Sequence, residues 1–476
     1  MPVVIAVAVP HPPVIVAGVG QGREKDARRT VEAYREAARR IAELEPQTIV
    51  ITSPHAAMYL DYLHVSPGSG ARGTFARFGD ARDGSRVTYD EELVRELCRL
   101  ARDEGLSAGT RGEREASLDW GTLVPLHFIE GAYEARRRAG EEVAPYRVVR
   151  MGISGLSPRD HYRMGQLVQR AAQALGRRVA FVASGDLSHK LSADGPYGYA
   201  PEGPVFDELA CAALGSGDLL SLLTADPSLC ERAAECGLRS FQIMAGALDR
   251  TAVDAELLSY EGPFGVGYGV AVLTPAGPEG EDASRALDVR YDAWHRADMK
   301  RRRSEEDPLI RLARTSLEHR VRTGERMALP DGLGAELSSH RAGAFVSISK
   351  NGRLRGCIGT IAPTRGSLAE EIIANAVSAG LHDPRFSPVT ERELPELVYK
   401  VDVLGEPEPV DGPQALDPRR YGVIVSAPDG RRGLLLPDLD GVDTVDEQLR
   451  IAAGKGGIDL GEPGVRLMRF RVERHS

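Results

Sequence analysis

Three short apolar runs in the first 190 residues each lead to a histidine. They are VVIAVAVPH (3–11), TIVITSPH (48–55) and VAFVASGDLSH (179–189). Their cores are rich in Val, Ile and Ala, with no polar alternation. That pattern predicts strands buried on both faces, as in a parallel sheet covered by helices. Helical spacing fills the gaps, in REKDARRTVEAYREAARRIAEL (23–44) and RDHYRMGQLVQRAAQAL (159–175). RVVRMGI (147–153) and GVGYGVAVLTP (265–275) read as further strands. Strand, helix and strand in alternation define an α/β domain.

In open α/β sheets ligands bind just outside the carboxyl ends of the strands. If the three runs are parallel, His11, His55 and His189 gather at one edge, with Asp186 beside them. Pro10, Pro12 and Pro13 fix φ around His11 and give it a set direction. One strand-end histidine is adequately explained as structural; three in the same placement point to a site. Neutral imidazoles ligate iron, zinc, copper or nickel, and two histidines with a carboxylate suit non-haem iron(II). A histidine left free of metal can move protons near neutral pH.

Other features are weaker. AGVGQG (17–22) precedes a helix but lacks the spacing of a dinucleotide loop. His64 and His161 lack a strand-end setting and read as surface residues. His127 reads as a core or surface histidine, and Glu261 as a turn carboxylate in reserve as a ligand.

The chain has 476 residues and a net charge of -9, and its basic run MKRRRSEED (299–307) is followed at once by acid. A nucleic-acid footprint is therefore not expected. No apolar run is long enough for a membrane helix. The N-terminus lacks a charged, then apolar, leader pattern. The five cysteines are scattered and never paired as C-x-x-C. A reducing, cytoplasmic setting is expected, with no disulfide framework.

PAGPEGEDASRA (275–286) is a linker by composition, and 286–304 is charged and helical. The expected division is 1–275, a linker at 276–304, and a second domain at 305–476. In the latter, AFVSISKNGRLRGCIGTI (344–361) predicts a hairpin about Asn351-Gly352. A helix at 367–381, a strand at 396–405, a hairpin about APDGRRG (427–433), a helix at 445–458 and a last strand VRLMRFRVE (465–473) follow. This mixture is α+β. Arg355 and Cys357 share a strand face, and a nearby guanidinium favours the thiolate. His382, in LHDPRF (381–386), is a candidate partner for Cys357 in a second site. The alternative is a structural cysteine.

The early His11, the strand-end SPH and above all SGDLSH resemble the class III extradiol dioxygenases of the protocatechuate 4,5-dioxygenase type and the related Memo family, over most of 1–275. The resemblance implies that His11 and His55 are iron(II) ligands and that His189 is an acid/base, here oriented by Asp186. It implies a third ligand at the start of a late helix, where AAECGLRSFQIMAGAL (233–248) offers Glu235. In Memo proteins a cysteine lies there, which would be Cys236. Ring-cleaving members carry a histidine where LDWGTLVPLHF (118–128) has Trp120, so altered chemistry is expected.

LRGCIG, DPRF and EQLRIAAGKGGI are similar to the AMMECR-type domain. Both modules in one chain resemble the AmmeMemoRadiSam system, which implies a radical SAM enzyme on a separate chain. The expectation is an iron-dependent oxidoreductase, with zinc as the alternative metal. It would act on a small-molecule or protein substrate, and homo-oligomers are possible. A binding or scaffold component and a zinc hydrolase are the competing readings.

Overall fold

The computed structural model describes residues 2–113, 117–276, 286–350, 352–439 and 441–475. It divides into two compact units, Met1–His295 and Arg296–Ser476. Residues 277–285 of the expected linker and Asn351 of the expected turn lie outside the described residues.

The first unit is built on β1 (Val3–Val9), α1 (Arg28–Leu44), β2 (Thr48–Ser53), α2 (Trp120–Arg138), β3 (Arg147–Gly152), α3 (Pro158–Ala174), β4 (Val179–Ser184), α4 (Leu238–Ala247), β5 (Val253–Glu261), β6 (Tyr268–Pro275) and α5 (Leu287–Glu305). Its sheet runs β3-β2-β4-β1-β6-β5. The first four strands are parallel, and β6 and β5 add an antiparallel edge.

Alternate strand residues feed two cores, one on each face. Ala6, Ala8, Val50, Phe181 and Ala183 meet α3 and α4 through Leu167 and Phe241. Val7, Val9, Ile51, Ala180 and Val182 meet α1 and α2 through Tyr34, Ile41 and Leu126. That double burial explains the absence of polar alternation in the strands. The helix α1 buries Val31, Tyr34, Ala38 and Ile41, a stripe at three- and four-residue spacing.

The second unit contains α6 (Pro308–Thr323), β7 (Gly343–Lys350), β8 (Arg353–Gly359), α7 (Leu368–Leu381), β9 (Leu397–Leu404), β10 (Glu408–Val410), β11 (Gly422–Ser426), β12 (Arg432–Leu435), α8 (Val445–Gly456), β13 (Arg466–Phe470) and β14 (Val472–His475). Two antiparallel sheets form, β8-β7-β9-β14 and β10-β13-β11-β12. Residues of α6 and α7 complete the core of the first, and residues of α8 that of the second. Among the described residues no helix is long and apolar enough to cross a membrane.

Four expectations are corrected. The strand β5 was not anticipated, because its Ala, Glu and Leu residues favour helix; pairing with β6 overrides that preference. The last expected strand breaks at Arg471, and its two halves join different sheets. His64 and His161 are buried rather than superficial. His64 lies in a short strand paired with Ala108–Gly109, and the ring of His161 faces Ser154 and the carbonyl of Ser157.

The start of α5 belongs to the first unit. Leu287 and Tyr291 join its core, the Leu287 amide donates to Asp249 Oδ1 at 3.3 Å, and Arg250 lies 3.4 Å from Asp288. A fragment ending at residue 276 should therefore be less stable than one ending at 295, by about 3 kcal/mol from the apolar burial of two side chains. Urea unfolding of the two fragments checks this; equal midpoints would show that these contacts add nothing.

Candidate metal centre

The parallel pairing sets β4 between β1 and β2, so their three carboxyl ends lie side by side. Val9 pairs with Ser184, and Thr52 with Ala183. Two residues beyond β1 comes His11, two beyond β2 comes His55, and two beyond β4 comes Asp186. Cys236 arrives from the turn before α4.

These side chains converge. His11 Nε2 and His55 Nε2 are 2.9 Å apart, with the rings edge to face at 85°. Cys236 Sγ is 3.7 Å from His11 Nε2. One ligand atom from each of His11, His55 and Cys236 lies within 4.8 Å of the others, and the same holds for Asp186, His189 and Cys236.

The backbone around the cluster is held by specific contacts. The His11 amide donates to Asp186 Oδ1 at 2.8 Å, and Tyr34 donates to the Pro10 carbonyl at 3.0 Å. The Asp186 amide donates to Cys236 Sγ at 3.3 Å, and the His189 amide to the Ala233 carbonyl at 3.0 Å. Gly185 is required here. A Cβ on it would lie 2.1 Å from Gly237 Cα, so two glycines allow the cysteine turn to touch the end of β4.

Ser184 fixes the tautomer of His11. Its hydroxyl donates its one proton to the Gly121 carbonyl at 2.6 Å, and His11 Nδ1 lies 3.0 Å from the same oxygen. With that proton committed, His11 Nδ1 must be the donor. The lone pair of Nε2 then faces His55 and Cys236, as a ligand requires.

Burial sets the charges. It lowers His11 to about 3, with Asp119 opposing and His189 adding to the effect. It lowers His55 to about 4, with neighbouring His11 contributing. His189 is lowered for the same reason. Burial raises Asp186 to about 6 and pushes the Cys236 thiol well above its usual range, reinforced by Asp186 and Glu235. At neutral pH the imidazoles are neutral. The thiol keeps its proton until a cation displaces it. Two imidazole nitrogens and a thiol, desolvated and aimed at one point, fit a borderline or soft divalent metal.

Two aromatic rings flank the cluster. Trp120 stacks on His55 with centroids 3.9 Å apart, and Arg77 lies 5.4 Å over the indole. Asp119 caps α2 by accepting from the Thr122 amide at 3.1 Å, and it also accepts from Ser53 Oγ at 2.5 Å. Tyr197 stacks on His189 with centroids 5.0 Å apart.

Of the two candidate third ligands, the structure brings Cys236 to the histidines. The Glu235 carboxylate, raised to about 7 by burial, accepts instead from the Leu238 amide at 2.7 Å in the first turn of α4. Glu261 is likewise engaged, accepting from the Thr30 amide and hydroxyl at 2.6 and 2.7 Å. His127 pairs with Asp83 at 2.8 Å. Ser184 and Tyr197 were not singled out from sequence, although Ser184 is the first letter of SGDLSH.

In the second unit, Cys357 is not brought to His382, which lies exposed at the C-cap of α7. The next residue, Asp383, reaches it instead and accepts from the Cys357 amide at 2.9 Å. Ser347 Oγ lies 3.1 Å from Cys357 Sγ. Arg355 is paired with Glu393 at 2.9 Å, so its charge is already balanced.

A doubly covered, mainly parallel sheet with two histidines and a thiol at its carboxyl edge defines an α/β domain with a candidate metal site. Residues 5–271 match the family described as the catalytic LigB subunit of aromatic ring-opening dioxygenase. The chain belongs to that family, and its residues 310–475 form an AMMECR1 domain. A Clostridium acetobutylicum protein is 38% identical over 476 residues, covering 98% of both chains. A Thermotoga maritima protein is 50% identical over 172 residues, covering 36% of this chain and 98% of its own. Among solved structures, a Pyrococcus horikoshii protein matches 35% of this chain and 88% of its own at 31% identity, with a TM-score of 0.33. An Escherichia coli K12 protein matches 57% of this chain and 99% of its own at 18% identity, with a TM-score of 0.38.

Removing the tautomer lock should weaken metal binding without removing a ligand. Ser184→Ala is expected to lower divalent-metal affinity roughly 10–100-fold, while Ser184→Thr, which keeps the hydroxyl, stays near wild type. Competition with a chromogenic chelator measures both; unchanged affinity in Ser184→Ala would remove Ser184 from the site.

Proposed function

We propose that the N-terminal domain is a metal-dependent, dioxygenase-like centre in which His11, His55 and Cys236 hold the ion. The observation that carries this reading is the convergence of two imidazole Nε2 atoms and one thiol, with the His11 lone pair directed by Ser184. Iron(II) is the metal favoured by the family. The bound ion would supply Lewis acidity and, if iron, one-electron chemistry with dioxygen. His189 is the group that takes or gives a proton, with Asp186 beside it in the cluster. Its lowered pKa leaves it a neutral base at pH 7.

Trp120 determines what the site does not do. The indole N–H only donates, so it cannot accept a proton from a phenolic substrate. Its stacking on His55 also occupies space beside that ligand. Ordinary ring cleavage is therefore suppressed, and the centre carries out an altered oxidation or binds without turnover.

The thiol supports a second reading, a zinc centre of hydrolytic type, because thiolate and imidazole together suit zinc. In either case the AMMECR1 domain is proposed to bind the substrate or a partner protein. The pairing of the two modules suggests a separate radical SAM enzyme as that partner.

Two measurements test this. Wild-type protein given one equivalent of iron(II) without oxygen should keep it through desalting. His11→Ala and His55→Ala should each weaken binding by about 2–4 kcal/mol, or roughly 30- to 1,000-fold; full retention by both would overturn the assignment. Loaded wild-type protein should form no yellow ring-opened product from protocatechuate, and Trp120→His is the variant expected to gain it. Rapid cleavage by the wild type would restore an ordinary dioxygenase.

A further inference from the structure

Cys236 belongs to two sets of ligand atoms, not one. Its sulfur lies within 4.8 Å of donors from His11 and His55, and equally of donors from Asp186 and His189. We propose that the pocket has a second cation position, formed by Asp186, His189 and the shared Cys236 sulfur. It adjoins the His11–His55 position and rests on that reading only for its neighbour.

Two observations beyond proximity point to a ligand there. His189 Nε2 is buried and makes no hydrogen bond among the described residues. Its ring is nevertheless held in place, by Tyr197 on its face and by the Ala233 carbonyl on its amide. An orphaned, immobilised nitrogen is costly unless something occupies its remaining direction. Asp186 shows the same asymmetry. Its Oδ1 accepts the His11 amide, while Oδ2 stands 4.0 Å from His11 Nε2 and makes no hydrogen bond to another described residue.

The donor chemistry selects the cation. One imidazole, one carboxylate and one thiolate suit zinc or cobalt and disfavour magnesium or calcium. A thiolate has lone pairs enough to bridge two metals. Two dications against one thiolate and one carboxylate leave a net charge of about +2 on simple ionic counting. Such a pair fits an anionic oxygen ligand, a phosphate or carboxylate, spanning both ions. Filling the second position also engages His189, so the acid/base proposed for the one-metal state is silenced. The second cation would thus act as a brake on proton transfer.

The test is zinc stoichiometry of the metal-stripped full chain, with cobalt(II) spectra in parallel. Wild type should saturate at two zinc ions per chain. His189→Ala and Asp186→Asn should each keep one, and so should His11→Ala. The sulfur-to-cobalt charge-transfer band should persist in both His11→Ala and His189→Ala and vanish in Cys236→Ser, because one sulfur serves both positions. If His189→Ala does not fold by circular dichroism, His189→Gln provides the same reading. Saturation of wild type at one ion that His189→Ala retains would overturn the second position and leave the first standing. A single ion lost in His189→Ala and indifferent to His11→Ala would support the second position and overturn the first. No zinc uptake at all would overturn both.

Discussion

Everything at the candidate metal centre depends on the in-line pairing of β4 with β1 on one side and β2 on the other. Val9 opposite Ser184 and Thr52 opposite Ala183 bring three carboxyl ends level. A slip of one residue would shift a strand end by about 3.3 Å and reverse which side chains face each core. Both faces of these strands are buried, so either error would expose apolar residues on one side and crowd the other. The same apolar burial that stabilises the sheet therefore fixes the distance between His11 and His55. No contact between the histidines themselves is needed for that.

Much of this was legible in the chain. A strand with apolar residues on both faces announces its own double burial, and a histidine two residues past its end inherits a position at the edge. What could not be read was the choice between Glu235 and Cys236. Adjacent residues at the entrance to a helix point in different directions, and which one turns inward depends on backbone angles there. Here the Glu235 carboxylate is drawn to the free amide of Leu238, and the thiol is left to face the histidines. Ser184 was hidden for a different reason. A serine closing a strand is unremarkable until the Gly121 carbonyl, 63 residues away in sequence, takes up its proton. His64 and His161 were misplaced because burial of a lone polar residue depends on tertiary partners that local pattern does not reveal.

The thiol gives the site a different character from a two-histidine, one-carboxylate centre. A carboxylate brings its charge with it at neutral pH, whereas the buried Cys236 thiol is neutral. The thiol thus adds no second charge to a desolvated place that already holds the Asp186 carboxylate. Trp120 works in the same direction, since it stacks an uncharged ring on His55.

In the second unit, the break at Arg471 has a consequence for how that unit comes apart. Residues 466–470 are an inner strand of one sheet, and residues 472–475 are the edge of the other. One covalent segment is therefore stitched into both. Loosening it at either end tugs on pairings in the other sheet, including those with β9 and β11. Separate sheets with separate cores would ordinarily open as independent units. Here a shared segment yokes them, and Leu404 of one sheet packs with Ile424 and Phe470 of the other, so the AMMECR1 fold should behave as a single cooperative block.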